Sequence, residues 1–114
     1  MIQLLPHMRV FLYITPIDFR CGVDGLAGLC RSRIKQNPMT GAVFAFINRR
    51  KTGIKILAYD GQGFWLCYKR LSTGKFRFWP KCEKNLTALQ LQVLLYNGDP
   101  DGSRMAPDWR PVQN

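Results

Sequence analysis

The chain holds a single histidine, His7, and its four cysteines, Cys21, Cys30, Cys67 and Cys82, lie far apart with no C-x-x-C pair among them. That spacing argues against a zinc site, whose ligands come in close Cys and His pairs. It also argues against a Cys–His nucleophile, because distant thiols would have to converge on a histidine near the chain start. No apolar run is long enough to span a bilayer, and Met1 to Val10 lacks the apolar core of a secretory leader and meets Pro6 too early. A reducing cytoplasm with free thiols, away from membranes, is the expected setting. The G-x-G at Gly61 to Gly63 sits between strand-like runs instead of opening a helix, so no phosphate-cradling loop is expected. Acidic residues are scarce as well. Metal-assisted phosphoryl transfer needs two or three converging carboxylates. The candidates Asp18, Asp24 and Asp60 each have a simpler role, as helix-start residue, as cap or Arg20 partner, and as turn former. A small metal-dependent nuclease therefore ranks below the binding functions, and no catalytic residue, metal, cofactor or small-molecule substrate is assigned.

What is present is positive charge and aromatic surface. Lysine and arginine outnumber aspartate and glutamate 17 to 7, for a net charge of +10 on 114 residues. Nearly half the residues are apolar, enough to fold one compact domain. A basic balance of this size suits a polyanion such as nucleic acid, an acidic protein or an acidic membrane surface, and charge alone does not choose among them.

Hydrophobic periodicity gives an α+β order. Arg9 to Ile14 (RVFLYI) reads as a first strand, and Thr15, Pro16 and Asp18 resemble a helix start. Val23, Leu26, Ala27, Cys30 and Ile34 recur at helical spacing until Asn37-Pro38. Val43 to Ile47, Ile54 to Tyr59, Phe64 to Leu71 and Phe76 to Trp79 are strand-like runs separated by NRRKTG, DGQG and STGK. They predict an antiparallel meander of about five strands packed against one or two helices. Thr87-Ala88-Leu89-Gln90 is a capping box, Leu86, Leu89, Leu91, Leu94 and Leu95 supply an apolar face, and Asn97-Gly98 a stop. The domain is expected over 1–98, with 99–114 a poorly ordered tail in which Trp109 could dock.

Loop length decides which side chains share a face. A three-residue loop at Gly61-Gln62-Gly63, with Gly63 left-handed, would pair Asp60 with Phe64, Tyr59 with Trp65 and Lys55 with Lys69. Treating Ser72-Thr73-Gly74 alike would pair Lys69 with Arg77 and Cys67 with Trp79. Ile54, Ile56, Ala58, Phe64, Leu66, Tyr68, Phe76 and Phe78 would then form a core face. Lys55, Leu57, Tyr59, Trp65, Cys67, Lys69, Arg77 and Trp79 would form an outer one, with Lys55, Lys69 and Arg77 abreast. Such a row invites phosphate, with aromatic rings to stack on bases. The expected nucleic-acid-binding residues are Arg49, Arg50, Lys51, Lys55, Tyr59, Trp65, Lys69, Arg70, Lys75, Arg77 and Trp79. The competing expectation is that the C-terminal helix covers Trp65 and Trp79, leaving the basic loop Asn48 to Lys51 as the main contact.

The order D-F-R-C-G-V-D-G-L (Asp18 to Leu26), K-I-L-A-Y-D-G-Q-G-F-W-L-C-Y-K-R-L (Lys55 to Leu71) and G-K-F-R-F-W-P (Gly74 to Pro80) resembles the small transposase-accessory family labelled TnpB of insertion-sequence family sixty-six, from about Met8 to Gly98. The resemblance implies a role in transposition of a bacterial mobile element beside a separate DDE transposase, with DNA and that transposase as partners and no catalytic residue. Asp18, Arg20, Gly22, Asp24, Gly25 and Leu26 match its first motif; Lys55, Asp60, Gly63, Tyr68, Lys69, Arg70, Gly74 and Pro80 match the second. The chain departs from the usual D-M-R-K-G-F-D-G-L at Phe19, Cys21 and Val23, so the positive charge usual beside Gly22 is absent. A module that docks on the transposase through its aromatic face is the alternative.

Overall fold

A computed structural model describes residues 4–82 and 85–102. Strands β1 (Val10–Leu12), β2 (Val43–Ile47), β3 (Gly53–Tyr59) and β4 (Phe64–Arg70) form one sheet in that order. Helix α1 (Val23–Leu29), prolonged by a π-helical turn at Cys30–Ile34, lies between β1 and β2; α2 (Ala88–Leu95) follows β4. The fold is α+β, and its sheet is four-stranded and mixed, where a five-stranded antiparallel meander was expected. β1 runs parallel to β2 because the chain returns through α1, a crossover long enough for a parallel connection. The Phe76 to Trp79 run is no strand.

Both faces of the sheet are covered. On one, Phe44, Phe46 and Leu57 meet Leu26, Ala27 and Cys30. On the other, Val43, Ala45, Ile47, Ile54 and Ile56 meet Ala88, Leu91 and Leu94 of α2 together with Phe76 and Trp79. This explains why β2 is apolar at every position, since each of its residues is buried on one side or the other. Fully burying Phe44 and Phe46 contributes roughly 1.5–3 kcal/mol each.

The helix ends differ in how well the local sequence foretells them. α1 begins after Gly22, and residues 15–22 run irregularly beforehand, tied to the sheet by a bridge between Ile17 and Asn48. Asp18 does not cap a helix; its carboxylate accepts from the backbone N–H and Nε of Arg20. α2 has the expected capping box, with Thr87 Oγ1 accepting from Gln90 N–H and Gln90 Oε1 from Thr87 N–H. It ends at Asn97, left-handed at φ 62, where the Asn97 and Gly98 N–H groups donate to the carbonyls of Leu94 and Val93 in a Schellman arrangement. Leu89, expected on the apolar face, points outward and is 69% exposed. Of the expected tail, residues 103–114, Trp109 among them, lie outside the described residues.

Candidate nucleic-acid interface

The turn between β3 and β4 decides where the candidate residues stand. Gly61, not Gly63, holds the positive φ, at 94°. Asp60 N–H donates to Gly63 O, so the loop is the two-residue Gly61-Gln62, with its glycine at the first central position as in a type II′ turn. The Asp60 carboxylate accepts from the N–H groups of Gln62 and Gly63 and from Trp65 Nε1, at 2.8–2.9 Å, which holds it below the usual carboxylate range. An even loop shifts the register by one residue: Tyr59 pairs with Phe64, Ala58 with Trp65, Lys55 with Tyr68 and Ile54 with Lys69. Every β4 side chain therefore lies on the sheet face opposite to the one expected.

The expected cationic row is dispersed by that shift. Lys55, expected on an open outer face, lies on the face that α1 covers, where its Nζ donates to Phe19 O at 2.8 Å and lies over the rings of Phe19 and Tyr68. Lys69 is on the α2 face; its Nζ donates to Leu95 O at 2.6 Å and sits 4.3 Å from the centre of the Tyr96 ring. A cation there meets the negative end of α2, while partial burial pushes its pKa below the usual lysine value. Tyr59 is half-buried edge-on against Phe64. Trp65 is 51% exposed beside Asp60, and Trp79 is 7% exposed with its Nε1 donating to Ile14 O. The two indoles do not form one platform, and α2 and its neighbours take up only Trp79.

The remaining candidates do come together. Arg49 and Arg50 fill the central positions of a turn closed by Lys51 N–H to Asn48 O at 3.0 Å. Asn48 builds this loop, its Oδ1 accepting from Thr52 and Gly53 N–H and its Nδ2 donating to Thr52 Oγ1. Beyond β4 the chain crosses this same end of the sheet: Leu71 N–H donates to Thr52 O and Phe76 N–H to Lys51 O, at 2.8 and 2.7 Å. Arg70, Lys75 and Arg77 are thereby placed beside Arg49, Arg50 and Lys51, and all are exposed. Asn97, buried behind α2, fixes the crossing segment, with its Oδ1 accepting from Arg77 N–H and its Nδ2 donating to Lys75 O, both at 2.9 Å.

Two contributors at this end are absent from the expected site. Arg20 carries a 92% exposed side chain and is paired with Asp18, whose carboxyl that pairing lowers to about 2; its place follows from the Ile17–Asn48 bridge, which the local sequence does not announce. Asn97 could be read only as a helix stop, because its partners Arg77 and Lys75 lie 20 and 22 positions away. For nuclease chemistry the geometry is unfavourable, since Asp18 and Asp60 stand at opposite ends of β3. Among the described residues no three His, Cys, Asp or Glu side chains gather in one place. Cys30 is buried, which raises its thiol to about 11 and leaves it protonated at neutral pH. Nor is any helix among the described residues long and apolar enough to cross a membrane.

Fold and site together define a small basic α+β protein with six exposed cations, none in an ion pair among the described residues, gathered at one end of a sheet covered on both faces. The family model described as IS66 Orf2 like protein matches residues 8–104, and the chain belongs to that family. It is 34% identical over 110 residues to the uncharacterized protein y4hO of Sinorhizobium fredii (strain NBRC 101917 / NGR234), covering 94% of this chain and 93% of that one. The uncharacterized protein y4jC of the same strain is 36% identical over 73 residues, 64% of this chain and 62% of that one. No solved structure matches the chain. Family membership gives an insertion-sequence accessory role without catalysis of its own.

Proposed function

We propose that the protein serves transposition by contacting DNA of its mobile element through the loop end of the sheet, beside the element's separate DDE transposase. The observation that carries this is the joining of Arg49, Arg50 and Lys51 to Arg70, Lys75 and Arg77 by main-chain hydrogen bonds, with no ion pair to any of them among the described residues. Six cations held together with one nearby carboxylate, Asp18, already paired with Arg20, repel one another, and a phosphate backbone relieves that repulsion while releasing its own counterions. Lys55, Lys69 and Trp79 are withdrawn as contacts, because carbonyls, rings and core already occupy them. The domain proper spans the sheet and both helices, residues 1–98, and the protein works in the cytoplasm with the DNA.

The test is duplex binding by fluorescence anisotropy across a salt series. Replacing Arg49 and Arg50 together by alanine should weaken binding and reduce the log–log salt slope by about 0.9 for each phosphate no longer engaged. Lys55→Ala should leave the slope unchanged. An unaltered slope in the double variant overturns the assignment.

A further inference from the structure

The two edges of the sheet are not alike. Beyond β1 the chain closes the edge with an antiparallel bridge between Val10 and Leu86. Beyond β4 no described residue pairs. Antiparallel ladders alternate, and the Asp60–Gly63 and Thr52–Leu71 hydrogen bonds set the phase. The main-chain groups of Trp65, Cys67 and Lys69 therefore face β3, whereas those of Leu66, Tyr68 and Arg70 face outward. Alongside this edge runs a groove of about 1010 Å³ between β4 and α2, lined by Ile56 of β3, Cys67, Lys69 and Arg70 of β4, and Leu95 and Tyr96 at the end of α2.

We infer that the β4 edge and this groove form a docking site for an extended acidic peptide of a partner protein, added to the sheet as a further strand. An open strand supplies main-chain hydrogen bonds to any extended peptide, and the groove supplies room for alternate apolar side chains. The charge selects acidic over basic: exposed Arg70 has no ion-pair partner among the described residues, while Lys69, held on Leu95 O, adds its positive field without offering a direct contact. A second copy of this chain fits the edge poorly, since it brings its own +10 charge. The site is separate from the DNA contact, sharing only Arg70, and it stands or falls independently of it.

The probe is a short fluorescein-labelled peptide of alternating threonine and valine flanked by glutamates, titrated into the full-length protein. Three results are expected together. The glutamate peptide binds at least about ten-fold more tightly than the same peptide flanked by lysines. Of two isomers N-methylated along opposite edges of the peptide strand, one binds and the other does not. Hydrogen exchange slows at the Leu66 and Tyr68 amides, while Trp65, Cys67 and Lys69, already bonded to β3, do not change. The Arg49→Ala, Arg50→Ala double variant binds the peptide as the parent does. Absent binding, equal binding of both methylated isomers, or no preference for glutamate over lysine overturns the inference. So does protection of the Leu66 and Tyr68 amides that grows with protein concentration without peptide, which would give the edge to a second copy.

Discussion

Asn97 is the residue whose loss should expose the architecture of the basic end. It is 4% exposed, left-handed at φ 62, and holds both the N–H of Arg77 and the carbonyl of Lys75 through its side-chain amide. Asn97→Gly keeps the left-handed backbone free of strain and removes only the amide. Each hydrogen bond contributes a net 0.5–1.5 kcal/mol, so the two together should cost about 2 kcal/mol. Asn97→Ala loses the same bonds and adds a Cβ in the left-handed region, for a further 1 kcal/mol or so. Asn97→Asp should fall between the parent and glycine, because one carboxylate oxygen still accepts from Arg77 while the other faces the Lys75 carbonyl. Urea unfolding followed by circular dichroism reads the series directly. With a slope of roughly 1–3 kcal/mol/M, the glycine variant's midpoint should fall by about 1 M with the slope unchanged. The order parent, aspartate, glycine, alanine is the signature. A glycine variant as stable as the parent would show that the amide does not secure the segment, and the placement of Lys75 and Arg77 would lose its support.

The neighbouring loop offers a trade between stability and binding. Lys51 adopts φ 59, a region that disfavours side chains bearing a Cβ. Lys51→Gly should raise stability by about 0.5–1 kcal/mol, after the greater freedom of glycine in the unfolded chain is offset, and should weaken duplex binding; a variant that is both less stable and equally tight in binding would refute this. Acid titration gives another check. Asp18 has its carboxyl held near 2 by the hydrogen bonds and charge of Arg20, below the ordinary 3.8. A carboxyl with a depressed folded pKa favours the fold above its ordinary value, and the contribution fades as pH falls towards about 2. Carboxyl-detected NMR should find Asp18 titrating near that value, moving up towards 3.8 in Arg20→Ala; a midpoint indifferent to Arg20 would remove the pair from the account.

The sequence signals that survived into the structure are those written over one or two turns of chain. Thr87 and Gln90 cap α2 because their partners are three residues apart, and Leu26, Ala27 and Cys30 pack inward because one helix repeat aligns them. β2, β3 and β4 stand where β-branched and aromatic runs placed them, within a residue or two. What was illegible depended on contacts between distant segments, or on a choice that residue types leave open. D-G-Q-G permits a left-handed glycine at either Gly61 or Gly63, and that choice alone reverses the face of every residue in β4. The parallel pairing of β1 with β2 and the crossing of Phe76 beside Lys51 are long-range contacts without a local signature. Thus the candidate loop Arg49 to Lys51 could be read directly, whereas its union with Arg70, Lys75 and Arg77 required the fold.

That reversal changes how the excess charge is to be understood. Lys55 and Lys69, expected side by side as an unsatisfied pair, lie on opposite faces, and each ammonium meets a carbonyl and an aromatic ring. A buried or half-buried cation so engaged is part of the fold's own hydrogen bonding, and offering it to a phosphate would break bonds worth about 1.5–3 kcal/mol each. Arg49, Arg50 and Lys51 are different. They extend from a turn built by Asn48, whose geometry is satisfied without their side chains. A polyanion that engages them gains attraction without cost to the core. A high net charge is therefore not by itself a map of a binding surface: the cations that the fold uses have to be subtracted first, and of those left over Arg49, Arg50, Lys51, Arg70, Lys75 and Arg77 lie together at the loop end of the sheet.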